Sequence, residues 1–122
     1  MIGRRRALMN IAVTFRHMNA TDAVKGYATD KVSKMQRFLR SPMKSQVTLS
    51  CQQDRLHRVE VEIHAGRARF HAHETSEDMY ASIDKVIDKI ERQILSAKEA
   101  VSAKKKGGER ASQHLLPEVN ED

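Results

Sequence analysis

The chain has 122 residues, 39% hydrophobic and 31% charged, with 22 lysines and arginines against 16 acids for a formal net charge of +6. That is room for one domain of modest core, with no apolar run long enough to span a bilayer and no apolar stretch in the basic start MIGRRRAL to make a signal peptide, so a cytoplasmic protein is expected. The single cysteine, Cys51, excludes an internal disulfide and falls short of a zinc ligand set; it reads as a small core residue in a reducing compartment.

Residues 1–8 form a basic extension carrying Arg4, Arg5 and Arg6, and one domain is expected over residues 9–101. Ile11, Val13 and Phe15 alternate with Ala12, Thr14 and Arg16, the period of a first strand. Thr21 and Asp22 are placed to cap a helix predicted to run to about Leu39, burying Val24, Tyr27, Ala28, Val32, Met35, Phe38 and Leu39. Ser41-Pro42 ends it, because the residue before proline avoids the helical region. Lys31 falls inside the apolar arc, so its stem must snorkel outward. Between Lys25 and Lys44 six cations, Lys25, Lys31, Lys34, Arg37, Arg40 and Lys44, stand against the single acid Asp30, which makes a patch rather than a background.

Val47, Leu49 and Cys51 alternate with Thr48, Ser50 and Gln52 as a second strand. The next two strands read as a hairpin turning at Ala65-Gly66. Val59, Val61 and Ile63 would then pair with Ala72, Phe70 and Ala68 on one face, and Glu62 with Arg69, Glu60 with His71 and His64 with Arg67 on the other. Thr75 and Asp78 have capping-box spacing, and Glu77 with Asp78 complements a helix dipole, so a second helix is predicted to start there and reach about Val101. The order β-α-β-β-β-α predicts a two-layer α+β fold, a four-stranded sheet with both helices packed on one face.

Residues 102–122 offer only Leu115, Leu116 and Val119 for burial. At roughly 1.5 to 3 kcal/mol each they cannot offset ordering costs of ~1 to 2 kcal/mol per residue, so a flexible tail is expected. It is basic first, at Lys104, Lys105, Lys106 and Arg110, and acidic last, at Glu118, Glu121 and Asp122. There is no internal repeat.

The second helix sorts its side chains into three stripes. Met79, Ile83, Val86, Ile87, Ile90 and Ile94 make an apolar arc, Lys85, Lys89 and Arg92 a cationic one, and Asp84, Asp88 and Glu91 an acidic one. Mixed charges would indicate a solvated face laced with i,i+4 pairs. Segregation by sign suits a repeating anion such as a phosphate backbone, and the two helices are expected to present their cations as one surface.

Other chemistry finds less support. His64, His71 and His73 share the polar face of the hairpin, where a metal could bind, but they read as solvated partners of Glu60 and Glu62. With no nucleophile elbow, no glycine-rich phosphate loop and no carboxylate pair set up to split its pKa values, neither an enzyme nor a cofactor is expected.

The string EDMYASIDKVIDKIERQI, Glu77 to Ile94, closely resembles the signature of the bacterial ribosome hibernation-promoting factor and ribosome-associated inhibitor family, also known as sigma-54 modulation proteins. The likeness extends upstream through Thr21, through Lys31, Lys34 and Met35, and through the hairpin before the DMY triplet, covering Met9 to about Lys98. It implies a factor that binds the small ribosomal subunit and its rRNA at the subunit interface, excludes mRNA and tRNA from the decoding channel, and inhibits translation in stationary phase or stress. It implies no membrane and no small-molecule substrate. The family's rRNA contacts map onto Lys31, Lys34, Lys89 and Arg92, with Tyr80 nearby; Arg37 and Lys85 join them from the charge pattern alone. Ser96 departs from the family, many of whose members carry lysine there; Lys98 either substitutes from another angle or does not substitute at all.

Long members of the family append a second domain that pairs ribosomes, and nothing after Val101 suggests one, so the chain reads as a short form. Its acidic close leans towards the branch that keeps idle ribosomes single rather than paired. Two rivals stand beside this reading. A general double-stranded RNA binder also packs two helices on a sheet, but opens its last helix with basic residues where this chain has Ser76-Glu77-Asp78. A protein-binding regulator of transcription has no residue here to support it.

Overall fold

Period-two alternation becomes four strands, and the apolar arcs become helices, in a computed structural model that describes residues 9–52 and 55–107. In chain order these are β1 (Met9–Arg16), α1 (Asp22–Ser33), a 3-10 turn (Lys34–Phe38), β2 (Met43–Gln52), β3 (Leu56–Ala65), β4 (Ala68–Ser76) and α2 (Met79–Gly107). The sheet order is β1-β2-β3-β4, with β1 parallel to β2 and the other pairs antiparallel. A parallel pair needs a crossover, and α1 with its 3-10 turn supplies it. The two-layer α+β architecture is the one the sequence predicts.

Both helices close one face of the sheet. Val47, Leu49, Val59, Val61 and Ile63 are fully buried in one cluster with Ala28, Val32, Ile83, Val86, Ile90 and Ile94. Ile11, Val13 and Phe15 on the outer strand β1 are half-buried against it. Met43 is fully buried too, so β2 starts four residues before the alternation at Val47 suggests. Cys51, expected in the core, is half-buried at the far end of that strand.

The first helix is shorter than predicted. Thr21 caps it, its Oγ1 accepting from the Val24 N–H at 3.2 Å, but α-helical geometry ends at Ser33 and the chain tightens into the 3-10 turn. A three-residue period stacks Met35 and Phe38 on one side, which keeps both against the core. Gln36 then organises the loop around Pro42. Its amide donates to the carbonyls of Leu39 at 3.1 Å and Ser41 at 2.9 Å, and its Oε1 accepts from the Met43 N–H at 2.9 Å.

The hairpin register differs by two residues from the expected one. The loop is Gly66-Arg67, with Ala65 opposite Ala68, Ile63 opposite Phe70 and Val61 opposite Ala72, while Glu60 faces His73, Glu62 faces His71 and His64 faces Arg69. Gly66 has φ +65°, and a positive φ at the first loop position alone is what a II′-type two-residue loop requires. A shift of two preserves which residues face the core, so the hydrophobic pattern could not detect it.

The second helix also starts later. Thr75 remains in β4, and Asp78 caps α2 in its place, accepting from the Tyr80 N–H at 3.2 Å. Buried Ser82 anchors that turn by donating to the His57 carbonyl at 2.7 Å. At its other end α2 passes Val101 and continues to Gly107. Residues 1–8 and 108–122, with the basic extension and most of the predicted tail, lie outside the described residues.

Candidate nucleic-acid interface

The two helices lie side by side and are tied by an aromatic seam. Tyr27 of α1 donates its hydroxyl to Asp84 of α2 at 2.7 Å, and its ring meets that of Tyr80 edge to face, with centroids 4.9 Å apart and planes at 84°. This hydrogen bond, which only the protonated phenol can donate, holds Tyr27 above its usual pKa, and the negative charge of Asp84 adds to the effect. Lys31 leaves the apolar arc as predicted and places its ammonium 5.2 Å from the centre of the Tyr27 ring. Lys34 is exposed and pairs with Asp30 at 3.5 Å, and the Arg37 guanidinium lies over the Phe38 ring at 4.8 Å.

The cations of α2 take the opposite flank. Lys89 reaches β4, bonding the Glu74 carboxylate at 2.8 Å and the His73 carbonyl at 3.5 Å. That bond, reinforced by the positive charge of Lys89 and Lys85, holds the Glu74 carboxyl below the usual carboxylate range. Arg92 is exposed and leans back to Asp88 at 3.4 Å. Lys31, Lys34 and Arg37 therefore stand on the α1 side, and Lys85, Lys89 and Arg92 on the β4 side. The acids of α2 separate them. The single cationic surface expected from the sequence is instead two flanks, because Asp84 turns towards α1 while Lys89 turns towards the sheet edge.

Lys98 does not stand in at Ser96. It donates to the Phe38 carbonyl at 2.9 Å on the α1 flank, whereas Ser96 lines the groove on the β4 flank.

Sequence reasoning missed two contributors on the β4 flank. Arg69, read as a hairpin partner of Glu62, lines the groove beside Lys89 and Arg92. Gln93 donates to the His71 carbonyl at 2.8 Å and accepts from the His71 N–H at 3.3 Å, occupying both backbone groups that this residue presents at the open edge of β4. Its position one turn after Lys89 was the available signal. On the helix-free face of the sheet, His71 meets Glu60 at 2.6 Å, His64 meets Glu62 at 3.2 Å and His73 meets Arg58 at 3.2 Å. The bond from His71 lowers the Glu60 pKa. Among the described residues no group of three histidine, cysteine or acidic side chains is arranged to hold a metal ion.

This arrangement has counterparts. The family described as Sigma 54 modulation protein / S30EA ribosomal protein matches residues 11–102. A ribosome hibernation promoting factor of Azotobacter vinelandii is 28% identical over 99 residues, covering 81% of this chain and 92% of that protein. A ribosome hibernation promotion factor of Lactococcus lactis subsp. cremoris is 33% identical over 90 residues, covering 72% of this chain and 49% of that protein. The crystal structure of the Protein Y N-terminal domain of Thermus thermophilus superposes with a TM-score of 0.66 at 28% identity, covering 70% of this chain and 96% of that one.

Proposed function

Because the chain belongs to the Sigma 54 modulation protein / S30EA ribosomal protein family, we propose that it is a ribosome hibernation factor of the cytoplasm, one that binds small-subunit rRNA at the subunit interface. There it occupies the decoding channel, keeps out mRNA and tRNA, and inhibits translation in stationary phase or stress. This action is stoichiometric occupancy and needs no catalytic group.

The observation that carries the reading is the row Lys85, Lys89 and Arg92, exposed along one flank of α2 at about one-turn spacing. Folded RNA holds its phosphates in fixed geometry, so cations on a rigid helix can match them without reading bases. Lys31, Lys34, Arg37 and Tyr80 add contacts from the seam and the α1 flank. A general duplex-RNA binder fits less well, since the Asp78 carboxylate caps the α2 N-terminus where a phosphate would otherwise sit.

Co-sedimentation with vacant small subunits across a salt series tests the reading. Six phosphate contacts predict a log-log slope of roughly −4 to −5, on the order of a thousandfold weaker binding for a few-fold rise in salt. Absence of pelleting at low ionic strength would overturn it.

A further inference from the structure

On its β4 flank, α2 and the sheet edge border a shallow, open groove of about 870 Å³. Phe70, Ala97 and Ala100 give it an apolar floor, and Arg69, Lys89 and Arg92 give it a cationic rim. The alanines keep the floor low, because their side chains end at the methyl group. At the rim, Arg92 pairs with Asp88 in an exposed contact, one of small worth that a stronger anion can displace.

The free edge of β4 would ordinarily invite an extended peptide. Gln93 closes that route at mid-strand, since both backbone groups of His71 are already bonded to its amide. What the groove can still recognise is a ligand with a flat, weakly polar body and an attached anion. A nucleotide has that division.

We propose that this groove is a nucleotide seat that takes one unpaired nucleotide of the bound RNA strand, its base over Ala97, Ala100 and the edge of Phe70 and its phosphate on Arg69 and Arg92. The proposal rests on the RNA-binding reading and adds to it a demand for an unpaired base. Every base offers a flat face, so the seat selects single-stranded character and not sequence.

The test is an NMR titration of the full chain with single-stranded hexaadenylate and with a blunt RNA duplex, repeated for Ala100→Leu. Ala100 is exposed on the helix, so leucine adds bulk to the groove without entering the core. Hexaadenylate is expected to shift the Ala97 and Ala100 methyls and the Phe70 ring along with the rim residues, and the duplex only the rim. Ala100→Leu should weaken hexaadenylate binding about tenfold, the scale of one lost base contact, and leave duplex binding unchanged.

Wild-type floor signals that stay still under hexaadenylate would overturn the seat even if the variant failed to fold, as would an unchanged affinity of the folded variant. Saturation by adenosine monophosphate alone at the same concentration would overturn the strand assignment and make this a free-nucleotide site. Wild-type pelleting with small subunits, run alongside, separates the two failures: pelleting with a silent groove sinks only the seat, whereas no pelleting sinks the ribosomal reading.

Discussion

The Lys89 ammonium sits 2.8 Å from the Glu74 carboxylate, so the middle cation of the α2 row already holds an anion in the free protein. In the proposed complex a phosphate takes the place of Glu74, so binding RNA through Lys89 means exchanging one for the other. Glu74→Gln should therefore strengthen RNA binding, by a few-fold at low salt, because the lysine no longer leaves a charged partner. Fluorescence anisotropy with labelled RNA at two ionic strengths measures this. An affinity below wild type would show that Glu74 positions Lys89 and does not compete for it.

Reversing charge on the same flank should have the opposite effect. Lys89→Glu with Arg92→Glu removes two cations and adds two anions on exposed positions away from the core, so circular dichroism should show an intact fold while pelleting with small subunits is lost. Alanine at either site alone should flatten the salt slope by about one. Undiminished pelleting of the double variant would take this flank of α2 out of the contact surface.

How far the sequence carries depends on what each signal measures. The apolar stripe of α2 marks buried side chains directly, and Met79, Ile83, Val86, Ile87, Ile90 and Ile94 are all buried. Alternation in β3 and β4 fixes which residues face the core but not who stands opposite whom, so the register followed the Gly66 turn and escaped the pattern. The Thr75 to Asp78 spacing satisfied a capping box, yet strand pairing kept Thr75 in β4 and left the cap to Asp78. For the candidate site, helix periodicity placed Lys85, Lys89 and Arg92 on one flank. It could not show that Asp84 would turn to Tyr27 and split the cations into two groups, because that depends on how α1 lies against α2. Arg69 and Gln93 were hidden for the same reason: their roles exist only where β4 meets α2.

Gln93→Ala should uncover the edge of β4. Two hydrogen bonds to His71 would be lost, at about 0.5 to 1.5 kcal/mol each where water does not fully replace them. Urea unfolding should show a lower midpoint with an unchanged m-value. The exposed N–H and C=O would also offer a pairing edge, so sedimentation velocity should detect concentration-dependent self-association in the variant and not in the wild type. A variant that stays monomeric at high concentration would show that the remaining edge residues suffice to block pairing.

The bond between His71 and Glu60 makes the helix-free face of the sheet acid-sensitive. The imidazole Nε2 lies 2.6 Å from the carboxylate, which can only accept, and this bond is the largest cause of the lowered Glu60 pKa, with Arg58 and His73 adding to it. A carboxyl whose folded pKa lies below its unfolded value near 4.5 contributes stability that is complete above that value and is lost as pH falls through the folded one. Thermal unfolding midpoints should accordingly fall as the pH drops below about 4.5, and Glu60→Gln should remove part of that dependence while costing stability at neutral pH. The acid limb should shrink in the variant and the neutral plateau should drop, a pair of changes that a loss of general packing would not produce, since it would lower the curve equally at every pH. Parallel curves for the two proteins would mean that the carboxylate gains nothing from folding.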